Sequence, residues 1–162
     1  MNFATDWLSI IDTVITLAGW GITLYIASSI SRKLDSERTL KNHFIEEVKT
    51  IRDYEASIFQ YIIVNNIKPQ QLKSKMGNLN TNVSDLMNLL EKQYGINNNY
   101  LNAFQWQYSQ LITDDEDFTS NYKSNSEFNF GTQLLKDFAT YRADKLYLFN
   151  NLIVEINNAT NK

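Results

Sequence analysis

The sequence predicts an all-α protein, with one N-terminal transmembrane helix followed by a cytoplasmic helical bundle. Three observations carry that expectation. Residues 7–30 hold a single charged side chain, Asp12, in 24 positions. Beyond them, apolar residues recur at spacings of three and four, the period of a helix that buries one face. Nowhere does the chain sustain a period-two alternation or place a hairpin dipeptide between apolar runs, the marks of strands. The expected division is a membrane helix over 1–30 and an all-helical domain over 31–162.

Composition narrows the function. The chain has 162 residues, a net charge of −3, 43% hydrophobic and 20% charged residues, enough to bury one core. It has no cysteine and one histidine. Disulfides, thiolate chemistry, iron–sulfur clusters and the usual zinc motifs are thereby excluded, and no cofactor or metal is expected. The acidic balance opposes a broad grip on nucleic acid, so no direct nucleic-acid binding is expected.

The segment from Trp7 to Ile30 is long enough to span a bilayer: at 1.5 Å per residue it makes roughly 36 Å of helix against about 30 Å of hydrocarbon. Ala27, Ser28 and Ser29 resemble a signal-peptide cleavage site, but residues 1–6 contain no Lys or Arg, which a secretory signal requires. A fully buried soluble helix is the other rival. Arg32, Lys33, Arg38 and Lys41 follow the segment closely, which puts that side in the cytoplasm and the amino terminus outside.

Polar and small residues within the segment form a stripe. Ser9, Asp12, Thr16, Gly19 and Thr23 recur near spacings of three, four and seven, with Ile10, Ile11, Ile15, Leu17, Ile22 and Ile26 over the rest. Such a stripe suits a neighbouring helix or water rather than lipid. A carboxylate at mid-membrane costs about 2.5–3.5 kcal/mol, and less near an interface. Asp12 therefore either snorkels to the outer headgroups or lines an opening among several copies that favours cations. One span encloses no channel, so conduction requires a homo-oligomer in the lipid bilayer, and head-to-tail contacts close into rings.

The cytoplasmic helices follow in order. Leu40, Phe44, Val48, Ile51, Ile58 and Ile62 mark a helix over 31–67, with a gap at Glu55 and a stop at Pro69. Leu72, Met76, Leu79, Val83, Leu86 and Leu90 keep a heptad-like 4-3-4-3-4 spacing up to Gly95, a surface suited to assembly. Tyr100, Leu101, Phe104, Tyr108, Leu111 and Ile112 make a shorter helix. Residues 113–130 read as a loop, whose Asp114, Asp115, Glu116 and Asp117 lack the alternating ligands and central glycine of a calcium site. Leu134, Phe138, Tyr141, Phe149, Leu152 and Ile156 then share one face of a terminal helix that starts after Gly131.

One pattern suggests chemistry. Arg38 precedes His43, the only histidine, by five positions. Such a pair is the mark of HEPN domains, in which a proton-transferring group and a permanent cation surround an RNA phosphate. On an ideal helix the two side chains diverge by about 140°, and Thr39 replaces the polar Asn, Asp or His that usually follows the arginine in active members. The pair also stands early in the bundle rather than on a late helix. Without catalysis, Arg38 and His43 are polar-face residues that pair with Asp35, Glu46 or Glu47.

An amino-terminal span, a short helical cytoplasmic domain and the Arg38–His43 pair together resemble one family, the small membrane accessory proteins encoded beside the RNA-guided RNase of subtype VI-B CRISPR systems. The resemblance covers the architecture of the whole chain and one motif. It implies a HEPN-like bundle in a bacterial inner-membrane protein. It further implies assembly into an octamer-like ring, a pore that depolarises the membrane and strengthens RNase-dependent antiphage defence, and a degenerate motif without independent nuclease activity. Two other classes remain open: a membrane-tethered HEPN endoribonuclease using Arg38 and His43, and a membrane-anchored helical adapter.

Overall fold

A computed structural model describes residues 3–64 and 66–160, with side chains from residue 31 onward. Among the described residues the regular secondary structure is helical, apart from one isolated bridge. The helices are α1 (Phe3–Ile63), α2 (Pro69–Tyr94), α3 (Asn99–Thr113), α4 (Glu116–Tyr122), α5 (Thr132–Lys145) and α6 (Tyr147–Asn158). Two compact units divide the chain, Met1–Leu40 and Lys41–Lys162. Among the described residues no helix is long and apolar enough to cross a membrane; the predicted span over 7–30 lies outside those whose side chains are described.

The first unit contributes the amino-terminal part of α1. From residue 31 to 40 its side chains are exposed or half-buried, Leu34 included at 60%.

In the second unit the core begins on α1, where Phe44, Val48, Ile51, Ile58 and Ile62 are buried. Burying each such side chain stabilises by about 1.5–3 kcal/mol. The helix ends at Ile63 rather than at the expected residue 67. Pro69 disfavours helical geometry in the residue before it, and Lys68 is extended, at φ −93° and ψ 115°. Asn66, at φ 70°, turns the chain. Ile67 then exchanges backbone hydrogen bonds with Phe128, at 2.9 and 3.1 Å.

Pro69 also starts α2, its fixed φ suiting the first turn, where its missing N–H costs nothing. Gly95 ends the helix in the left-handed region at φ 72°, and its N–H donates to Glu91 O. The heptad-like face is not free for assembly. Leu72, Met76, Leu79, Val83, Leu86 and Leu90 are all buried in the chain's own core, because α2 packs along α3.

Helix α3 occupies the middle of this unit and touches α2, α4, α5 and α6. Phe104 on α3 stacks on Tyr141 of α5 and meets Phe149 of α6 edge-on, both at 5.8 Å.

Two expectations about the remaining chain need correction. Residues 113–130 are not all loop: α4 forms within them, capped by the Asp115 carboxylate accepting from Phe118 N at 3.1 Å and followed by two acids in the first turn. Phe118 is buried with Phe128 and Phe130, so the aromatics of this segment close a small satellite core. The terminal helix is also two helices, divided at Leu146. No glycine or proline marks that bend. Tyr141 before the division and Phe149 after it both reach Phe104.

Candidate functional site

The residues expected to line a pore, Ser9, Asp12, Thr16, Gly19 and Thr23, all fall within the range of α1. Their side chains lie outside the described residues.

Arg38 belongs to the first unit and His43 to the second, and both are exposed. Neither forms the expected pair with Asp35, Glu46 or Glu47 among the described residues: Glu46 is taken by Lys49 at 2.7 Å. His43 instead lines a cleft of about 250 Å³ with Phe44, Glu47, Asn82, Asp85, Leu86 and Leu89. Two carboxylates and no cation face that cleft, so its potential opposes an RNA phosphate. Among the described residues no group of His, Asp and Glu is arranged to hold a metal ion.

The most unusual chemistry lies deeper, at a position where the apolar stripe of α1 has a gap. Glu55 is fully buried. Arg142 of α5 donates to both of its carboxylate oxygens, at 2.8 and 3.0 Å. The guanidinium also sits over the ring of Phe59, 4.8 Å from its centroid, a cation–π contact that shields the pair from water. Phe59 stacks on Phe138 at 5.9 Å, and Phe138 meets Tyr108 at 4.4 Å.

Tyr108 of α3 completes the cluster. Its hydroxyl is buried within the field of Glu55 yet makes no hydrogen bond of ordinary geometry among the described residues. Burial pushes its phenol far above the usual range, the Glu55 charge adds to that push, and Arg142 opposes it. One turn earlier on α3, Gln105 is buried with neither its carbonyl nor its amide paired. Two buried, unpaired polar atoms on one side chain are costly and uncommon.

This cluster ties α1, α3 and α5 together. With both oxygens of Glu55 held by a guanidinium, the carboxylate is committed to that pair. Its chemistry is that of a clamp. Sequence reasoning registered Glu55 only as an interruption of an apolar stripe and did not single out Arg142. A carboxylate at a core position was the signal that a buried cation had to exist elsewhere in the chain.

Comparison with known protein families, with curated proteins and with solved structures gives no match.

Proposed function

We propose that this chain is an oligomeric membrane pore of antiphage defence, with its helical domain on the cytoplasmic side and no catalytic activity. The single observation that carries this reading is the polar stripe Ser9–Asp12–Thr16–Gly19–Thr23 within the apolar segment 7–30. That segment continues within the same helix, α1, into the packed helical domain. An isolated lipid-facing helix has no use for such a stripe, whereas several copies sharing an axis turn it toward one another or toward water. The resemblance drawn from the sequence extends the reading to a HEPN-like bundle that acts with an RNA-guided CRISPR RNase. The carboxylates around His43 support a non-catalytic role for that residue over the endoribonuclease alternative.

The test is reconstitution. Purified protein in mild detergent is expected to run as a closed oligomer, and in liposomes to dissipate a potassium diffusion potential. A monomer that leaves the potential intact overturns the reading. Incubation with single-stranded RNA separates the enzyme class: cleavage lost in His43→Ala would establish the nuclease instead. Membrane depolarisation in cells that depends on an active RNase supports the CRISPR link, and depolarisation indifferent to the RNase removes that link alone.

A further inference from the structure

Away from the clamp, α3 and α5 leave an open groove of about 520 Å³ between them. Gln107, Gln110, Leu111 and Asp114 line it from one face of α3 and its cap, while Leu134 and Tyr141 line it from α5. Each set spans eight residues, about 10 Å of helix, so the trough is about two turns long. Most of its wall surface is apolar. Leu111 and Leu134 are half-buried, and the ring of Tyr141 is fixed by stacking on Phe104. The Tyr141 hydroxyl donates to Gln107 Oε1 at 2.9 Å and holds the two helices together there.

Asp114 and Asp115 also line the groove. The exposed Asp114 carboxylate has no hydrogen-bond or ion-pair partner among the described residues. Asp115 spends one oxygen on capping α4 and keeps the other free. Both stand at the carboxyl end of α3, where the helix dipole is already negative and a cation is the stabilising choice. Yet the last turn of α3 has no basic residue. Unopposed negative charge beside an apolar trough matches one kind of occupant, an apolar body that carries a cation.

We propose that the α3–α5 groove is a docking site for a basic amphipathic helix of a partner protein. An apolar side chain of that helix fills the space among Leu111, Leu134 and Tyr141, and a lysine or arginine meets Asp114 and Asp115. An open trough two turns long suits a helix laid into it, whereas small-molecule sites enclose most of their ligand. Trp106, 61% exposed on α3 and one turn from Gln110, adds an aromatic side chain of the type that anchors interfaces. The groove lies wholly within the second unit, so the proposal stands or falls independently of the pore.

Fluorescence anisotropy tests it, with the full-length protein in mild detergent and a labelled synthetic helix bearing leucines on one face and lysines at its ends. Saturable binding is expected, weakened by salt and about tenfold weaker for the double variant Asp114→Asn, Asp115→Asn. Asparagine retains the cap on α4, so that variant keeps the fold. Leu134→Glu, checked by circular dichroism, is expected to abolish binding. Equal affinity in wild type and double variant overturns the proposal, as does equal binding of a helix whose lysines are replaced by glutamates. Phenethylammonium serves as the small probe: if it saturates the groove and the helix does not bind, the site belongs to small organic cations and the proposal falls.

Discussion

Arg142 Nε lies 2.8 Å from Glu55 Oε1 across 87 residues of sequence, and the carboxylate it holds is fully buried. The pair locks α1 to α5. Removing one partner leaves a buried charge without compensation, a change that costs about 3–5 kcal/mol. Arg142→Met is therefore expected to lower the urea midpoint sharply. Replacing both residues with leucine is expected to recover most of that loss, since well-packed apolar groups substitute for buried ion pairs. Circular dichroism of the three proteins in urea checks both outcomes.

Tyr108 couples stability to alkaline pH. Its phenol is raised above the ordinary value of 10.0 by burial first and by Glu55 second. In the unfolded chain it ionises near that ordinary value, while the folded protein keeps it protonated. Above that pH the unfolded state binds fewer protons, so stability falls as pH rises. Burial raises Tyr141 in the same direction, and Tyr100 also, with Glu155 contributing. Tyr108→Phe is expected to flatten the decline above about pH 10. Thermal melts from pH 7 to 11 measure the slope.

Gly95 carries the end of α2 at φ 72°. Any residue with a Cβ is strained there, so Gly95→Ala is expected to destabilise the protein by about 1–2 kcal/mol. Asparagine, which tolerates the left-handed region, is expected to lose less. Comparison of their melting temperatures decides.

His43 is exposed and makes no ion pair among the described residues. His43→Ala is expected to change stability by less than about 0.5 kcal/mol, a result that denaturant titration reads directly.

Asp12 bears on the pore reading. Asp12→Asn keeps size and polarity but removes charge, so reconstituted channels are expected to lose cation preference while still conducting. Reversal potentials under a salt gradient measure this. Unchanged selectivity would place Asp12 away from the conduction path.

The local signals in the chain mapped well onto its elements. Pro69 and Gly95 bound α2 as their backbone restrictions require, and the spacing of Leu72 through Leu90 marked a buried face. The identity of the neighbour on that face was not legible, and another copy of the chain was the wrong choice: α3 covers it. Helix α4 escaped notice because seven residues hold too little periodicity, although Asp115 before Glu116 and Asp117 was a readable cap. The division at Leu146 carries no breaker residue at all. In the candidate site, Arg38 and His43 drew attention as a motif, whereas Glu55 and Arg142 belong to no motif.

By itself the sequence determined the helical class, the apolar segment 7–30 with its polar stripe, and the helix boundaries where proline or glycine restricts the backbone. Each depends on residues within a turn or two of one another. Tertiary structure alone decided that Glu55 meets Arg142, that Tyr108 is buried within the field of that pair, and that α3 and α5 diverge into a groove ending at Asp114. Those outcomes follow from which helices bury one another, and a carboxylate's partner is chosen by exclusion from water rather than by distance along the chain.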